Sequence, residues 1–363
     1  MRHSPGQLLR HATVGVLALA SIWASCGSPA AAPAAPPVPE ADGIAFSQRY
    51  SALQHGGIVR AANTSITCRA QAPSCAGAQA GGPGVNGDFD MFYVDVDRDP
   101  NTYNSSRAEV RLPAGARVTY ARLYWGGNLR VGEQKPSADN GRVLIAEPGG
   151  EYKEVIADTL VGHRVTDSAD AFQASADVTA LVRDSAPGLY TVAQVNVAAG
   201  GSAAGAWGGW TLVVAYEDPA QPLRHLALWD GFAPLGSGAA ELRMRGLDFA
   251  AGAAGRVGVV AYNGDRGTTG DSLTVAARPG SGSTRLSGPA DPSGDVLNST
   301  VSGPAGAAPA RVPAYAHTLG YDSDVFDVPG GLPRAGDEAV VRLAAERDAA
   351  WAGVLFASVD ARR

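Results

Sequence analysis

Apolar and polar positions along this chain alternate, or run apolar, over strand lengths; the three-to-four spacing of a helix face is scarce. RVTYARLYW (Arg117–Trp125), LYTVAQVNV (Leu189–Val197), WTLVVAY (Trp210–Tyr216), RVGVVAY (Arg256–Tyr262) and WAGVLFASV (Trp351–Val359) are rich in β-branched and aromatic residues. They carry the marks of half-buried and fully buried strands. Clusters of Gly, Pro, Asn and Asp separate them and read as turns. Only Val178–Arg183 and Ala345–Ala350 have room for a helical turn apiece. Many short strands with frequent turns predict an all-β chain built of sandwiches or jelly rolls.

The strand pattern repeats faintly. Asp177-Val178 leads through Leu181 and Gly188 to a strand at Tyr190, and then to Trp210, which opens an apolar strand ending at Asp218. Asp327-Val328 leads in the same order through Leu332 and Gly336 to a strand at Ala339, and then to Trp351 and Asp360. Ala108–Arg111 before Arg117, and Ala240–Arg243 before Arg256, precede the two series. A fixed order of features argues for a repeated unit. The expectation is two tandem β-sandwich, jelly-roll-like units, at 45–236 and 237–363, split near Gly236.

A length of 363 residues fits two compact units, and 45% hydrophobic residues suffice for real cores. The 46 glycines and 24 prolines fit turns better than helices. With a formal net charge of -6 and no long basic run, nucleic acid is not an expected partner.

The first 30 residues read as a signal peptide: Arg2 and Arg10, then an apolar stretch from Ala12 to Ala24, then small residues. That stretch is short for a membrane span, which takes roughly 20 residues. No second one follows, so no transmembrane segment is expected in the mature chain, which is read as secreted. Residues 31–44 form an Ala/Pro-rich linker. Trp23-Ala24-Ser25-Cys26 resembles a lipoprotein processing site, with Cys26 as the lipidated residue; Trp23 departs from the small aliphatic residue usual there. Ordinary cleavage nearby, for example after Ala30, is the alternative and is favoured. Cys68 and Cys75 then form a close pair, and in an exported chain this spacing suits a small disulfide loop. The other reading, half of a metal site, lacks a second Cys/His pair.

A family resemblance covers about Ala45 to Val359. Its residues are Ser65–Cys68 with Cys75, Tyr93–Ser106 (YVDVDRDPNTYNSS), Leu123–Gly127 (LYWGG), Gly208–Tyr216, Trp229–Phe232 (WDGF), Gly270–Ser272, Asn298–Thr300 and Leu319–Asp327 (LGYDSDVFD). In combination they look like the N-terminal region of uncharacterised secreted surface proteins of actinobacteria, in which tandem surface repeats often follow. The resemblance implies a surface location and an adhesin-like or structural setting; it implies no reaction.

Three constellations invite chemistry. Asp95, Asp97, Asp99 and Asn101 alternate as at the start of many calcium loops, since Ca²⁺ takes six to eight oxygens. In an extended strand those side chains would stand roughly 6.6 Å apart, so one ion needs the chain to turn. The bland reading is a solvated strand end. Asp322 to Asp327, Asp265 and Asp271 raise the same question and read more simply as turn or cap residues. Gly270-Asp271-Ser272-Leu273 resembles the nucleophile block of a lipase and esterase family. However, Thr274–Ala276 continues as strand, and none of His163, His225 and His317 has an Asp three residues before it. Among the aromatics, Trp207 lies in a Gly-rich, loop-like setting and is the candidate exposed contact for a sugar ring.

The expected role is therefore a secreted, non-enzymatic surface-structural or adhesin-like binding protein, with Ca²⁺ as an optional stabiliser. Its partner would be a cell-surface component or glycan. A carbohydrate-binding module using loop aromatics is the alternative, and a secreted hydrolase the remote one.

Overall fold

The computed structural model describes residues 44–97, 99–166, 169–236, 238–304 and 309–362. The signal-peptide and Cys26 readings fall outside the described residues, as does all of the linker but its last position. The strands are β1 (Ile44–Thr64), β2 (Ile66–Cys68), β3 (Met91–Tyr93), β4 (Ser105–Val110), β5 (Arg117–Asn128), β6 (Arg142–Ala146), β7 (Lys153–Ile156), β8 (Thr159–Val165), β9 (Asp170–Asp177) and β10 (Gly188–Ala193). They continue with β11 (Gly208–Glu217), β12 (Leu223–Pro234), β13 (Ala239–Phe249), β14 (Gly255–Tyr262), β15 (Ser272–Ala276), β16 (Ser283–Arg285), β17 (Arg311–Val312), β18 (Tyr321–Asp327), β19 (Gly336–Ala344) and β20 (Trp351–Asp360). Among the described residues two single-turn α-helices, α1 (Cys75–Gln79) and α2 (Thr179–Arg183), and two 3-10 turns, Asn86–Asp88 and Ser137–Asp139, accompany them. The protein is all-β, as its patterning requires. Among the described residues no helix is long and apolar enough to cross a membrane.

The expected turn at Val178–Arg183 is α2, whereas Ala345–Ala350 is irregular. Local composition favours a helix there, but Asp348 accepts the backbone N–H of Asp265, and that long-range bond holds the segment open.

Nine strands form one antiparallel sheet, ordered β18-β14-β20-β12-β1-β11-β5-β9-β8. A five-stranded sheet, β17-β4-β10-β6-β7, and a four-stranded sheet, β13-β19-β15-β16, flank it. β1 is the hinge of the large sheet: Ile44–His55 pairs with β12, and Gly56–Thr64 with β11. Gly56 makes the crossing with φ at 144°, and a Cβ there would collide with the carbonyl of Tyr216.

On each side of this hinge the strand order is the same. β1-β11-β5-β9 over β4-β10-β6-β7 is matched by β12-β20-β14-β18 over β13-β19-β15-β16. Trp210 and Trp351, which open the corresponding apolar runs of the sequence repeat, sit on the equivalent strands β11 and β20 but face different cores, Trp210 the first sandwich and Trp351 the seam. The second sandwich takes its first strand, β12, from the chain ahead of Gly236.

Alternation along each strand divides the apolar residues among three cores. Trp210, Leu212 and Val214 of β11 face the five-stranded sheet with Trp125, Ile145 and Tyr190. Leu355 and Ala357 of β20 face the four-stranded sheet with Leu242, Val259, Leu273 and Val341. The residues between them, Val213 of β11 and Val354 and Phe356 of β20, meet Tyr124, Phe232, Tyr262 and Tyr321 in a seam where the halves of the large sheet lie back to back. Both faces of these strands are buried, which is why they read as continuous apolar runs. Hydrogen bonds cross the seam too: Thr211 and Tyr321 share a 2.6 Å hydroxyl contact, and Gln173 donates to the carbonyls of Gly231 and Gly353.

Candidate metal centre

Cys68 and Cys75 are joined in a disulfide, with Cα atoms 5.6 Å apart and both residues buried. Cys75 opens α1, so the bridge fixes that helical turn to the end of β2.

The loop after β3 uses its acidic side chains locally. Asp95 accepts from the Ser105 hydroxyl at 2.8 Å. Asp97 accepts from the Asp99 amide at 2.8 Å, the Thr102 hydroxyl at 3.1 Å, and the Tyr152 hydroxyl. Asp99 accepts from both the backbone and side-chain nitrogens of Asn101, at 2.9 and 2.8 Å. Burial works against the charge on Asp97, yet the Tyr152, Asp99, Ser105 and Thr102 bonds together hold its carboxyl below the ordinary value. The four residues proposed from sequence as calcium ligands thus form successive side-chain-capped turns and are not gathered about one point.

Trp207 is fully buried, with none of its surface exposed, and its ring lies 5.7 Å from that of Tyr262 in the seam. The expectation of an exposed sugar contact is corrected: the Gly-rich segment reads as a surface loop, but the back-to-back packing of two sandwiches covers it. Ser272 is the first residue of β15, so the GDSL segment leads into a strand rather than a helix.

Four carboxylates gather at one end of the second sandwich. Three connections supply it: β14–β15 brings Asp265 and Asp271, β16–β17 brings Asp295, and β19–β20 brings Asp348. Asp271 and Asp348 are each 1% exposed and Asp295 8%. Backbone amides hold part of the cluster in place, Asp265 N–H donating to Asp348 Oδ2 at 3.2 Å and Gly267 N–H to Asp295 Oδ2 at 3.0 Å. Asp271 and Asp348 face one another within hydrogen-bonding reach. Asp271 is also within reach of the Leu297 amide and Asp348 of the Thr268 hydroxyl, while Oδ1 of Asp265 and Oδ1 of Asp295 are buried with no hydrogen-bond partner.

The electrostatics follow from that crowding. Burial, then the charge of Asp348 and the contact with it, push Asp271 up to about 9. Burial, then Asp348 and Asp88, raise Asp265 to about 6. Burial and Asp295 raise Asp348 to about 6, against hydrogen bonds that pull it down. The neighbouring charges that raise these groups are all carboxylates.

A second buried acidic group shows the contrast. Asp322 accepts the amides of Ser299 and Thr300 at 2.6 and 3.2 Å, Asp324 the amide of Ser302 at 2.7 Å, and Asp291 the Thr300 hydroxyl at 2.6 Å. Its charge is met by Arg60, itself only 3% exposed, which acts on both Asp291 and Asp324. This group has a cation of its own.

Among the described residues no group of three or more His, Cys, Asp or Glu side chains is placed to hold a metal ion. What the Asp265–Asp271–Asp295–Asp348 cluster offers is a set of oxygen donors, the chemistry of a hard cation, on three loops. Asp271 and Asp265 are turn residues in the sequence reading. Asp295 and Asp348 are unremarked there, because 83 residues separate Asp265 from Asp348 and only the fold unites them.

No family model matches this chain, and no curated protein matches it. Among solved structures it is similar to the major capsid protein P2 of bacteriophage PM2, with 12% identity, 73% of this chain and 95% of that chain covered, and a TM-score of 0.21. It is similar also to a structure from Sulfolobus Turreted Icosahedral Virus, with 9% identity, 70% and 85% covered, and a TM-score of 0.20. At such scores neither likeness carries an argument about what this protein does.

Proposed function

We propose that this chain is a non-enzymatic structural or adhesin-like binding protein of the cell exterior, whose second sandwich is locked by a divalent cation, Ca²⁺, at Asp265, Asp271, Asp295 and Asp348. The observation that carries the metal reading is the crowding of four carboxylates, with buried oxygens on each and only carboxylates among the charges that raise them. Buried polar atoms are ordinarily satisfied, and a cluster of like charges is costly unless a counter-ion or proton joins it. The exterior setting rests on the signal-like first 30 residues and is supported by the Cys68–Cys75 disulfide. The cluster joins three loops at the sandwich end, so the cation's part would be to stiffen the scaffold.

The competing account of the same geometry is a proton held by Asp271 and shared with Asp348. Thermal melts after EDTA treatment, with Ca²⁺ or Mg²⁺ then restored, distinguish the two. A ligand of the native state raises the midpoint with its concentration. Ca²⁺ should raise it in the parent protein and not in Asp271→Asn or Asp348→Asn. No Ca²⁺-dependent rise, or an equal rise in both variants, would refute the proposed centre. Intact-mass analysis of protein recovered from culture medium tests the exterior setting: retention of residues 1–30 would overturn it.

A further inference from the structure

Four arginines distant in sequence meet on the outer face of the four-stranded sheet. Register places them. Across one row Glu241 stands opposite Arg342, Arg342 opposite Thr274, and Thr274 opposite Arg285. Across the next, Arg243 stands opposite Val340, Val340 opposite Ala276, and Ala276 opposite Ser283. Alternate side chains of a strand share a face and adjacent strands lie roughly 4.8 Å apart, so these rows form one surface. Arg278, just past β15, borders it. The result is a trough of about 480 Å³, floored by the small residues Ser272, Thr274, Ala276 and Ser283 and lined by Arg243, Arg278, Arg285 and Arg342.

The charge on this face runs against the whole. The chain carries a net charge of -6, yet here four exposed guanidinium groups face one carboxylate, Glu241. Glu241 is engaged by Arg243 at 3.0 Å. Among the described residues neither Arg278 nor Arg342 forms an ion pair, and Arg285 reaches only the carbonyl of Ser293 at 3.5 Å. Isolated exposed arginines are common; four on one concave face with small residues between them form a surface complementary to a chain of negative charges.

We infer that this trough binds an anionic glycan. Guanidinium groups take carboxylate or sulfate oxygens in two-pronged fashion, and the Thr274 and Ser283 hydroxyls offer hydrogen bonds suited to sugar hydroxyls. Nucleic acid fits less well, since the trough lacks the aromatic rings on which unpaired bases stack. The inference is independent of the proposed metal centre: it concerns exposed cations on the sheet face and no carboxylate of the cluster.

Binding of polygalacturonate, with neutral dextran and single-stranded DNA as comparators, tests it at low ionic strength by calorimetry. The expected result is binding of polygalacturonate that weakens as salt rises, no binding of dextran, and weaker binding of DNA. Arg278→Gln with Arg342→Gln should lower the affinity by roughly tenfold per arginine, while the far-ultraviolet spectrum stays that of the parent. Arg278→Lys with Arg342→Lys should recover part of the loss. Absence of polygalacturonate binding, unchanged affinity in the glutamine variant, or tighter binding of DNA would each overturn the assignment.

Discussion

The hydroxyl of Tyr124 on β5 donates to Oδ2 of Asp230 on β12 at 3.1 Å, across the seam between the two sandwiches. Arg49 from β1 meets the same carboxylate with two nitrogens, each at 2.8 Å, and Nε of Arg122 lies 3.7 Å away. Arg122 and Asp230 are 3% and 4% exposed. Removing the charge from Asp230 strips the part-exposed Arg49 of its carboxylate partner, while the buried Arg122 keeps Asp158. Losing hydrogen bonds to a charged group costs about 1.5–3 kcal/mol, whereas losing one neutral donor costs about 1 kcal/mol. Asp230→Asn should therefore destabilise more than Tyr124→Phe in urea unfolding. Because the two residues share one interaction, adding Tyr124→Phe to Asp230→Asn should cost less than in the parent.

Gly258 of β14 stands opposite Phe356 of β20, and a Cβ on Gly258 would fall inside the phenyl ring. The ring occupies the space a side chain would take, in the seam core with Val260 and Tyr262. Gly258→Ala should cost about 1–3 kcal/mol by overpacking. Phe356→Leu, introduced alongside, should recover part of that loss, although Phe356→Leu alone is destabilising. Denaturant midpoints of the three variants check this, and an alanine tolerated without loss would show that the ring is not held against the strand.

The carboxylate cluster makes metal-free stability depend on alkaline pH. Asp271 holds its proton to about 9 in the fold, but an unfolded aspartate releases it near 4. Between those values the native state binds more protons than the unfolded state, so stability falls as pH rises. Asp265 and Asp348, raised to about 6, act in the same direction at lower pH. In EDTA the melting midpoint should decline from pH 7 to pH 9. Asp271→Asn should flatten that decline, and Ca²⁺ should flatten it in the parent by favouring the ionised carboxylates. A midpoint that rises over this range in EDTA contradicts the proton balance.

Much of this fold is legible in the chain, and the reasons are local. β11, β14 and β20 are apolar on both faces and β-branched, so WTLVVAY, RVGVVAY and WAGVLFASV announce themselves, and the Asp177-to-Trp210 and Asp327-to-Trp351 series mark equivalent strands. What local pattern does not carry is which surfaces the sandwiches turn toward each other. Trp207 therefore reads as exposed, although the unbroken apolar character of β11 already signals burial on both faces. The carboxylates at 265, 271, 295 and 348 and the arginines at 243, 278, 285 and 342 are joined only by strand register and loop docking. Each by itself is an ordinary turn or surface residue. The Asp95–Asn101 string drew attention because its members are adjacent in sequence, and adjacency is what lets them cap one another's turns.

His317 supplies an acid limb of opposite sign. It is fully buried, and neither ring nitrogen has a hydrogen-bond partner. Burial, with the neighbouring Arg266, lowers it to about 4 from the 6.5 of an exposed imidazole. The unfolded chain takes up a proton through pH 6.5 that the folded one refuses until about 4, so stability present above 6.5 is lost as pH falls through that interval. The full loss amounts to roughly 3 kcal/mol by pH 4. Between pH 6.5 and 5 the raised carboxylates Asp265, Asp271 and Asp348 act with the opposite sign, so the imidazole is read as the difference between the parent and a His317 variant over that interval. His317→Phe, an apolar ring in the same pocket, should gain stability relative to the parent as pH falls from 6.5 to 5 while leaving the decline above pH 7 intact. Urea midpoints of parent and variant that run parallel across pH 6.5 to 5 would mean that the buried imidazole takes up its proton in the fold as readily as in the unfolded chain.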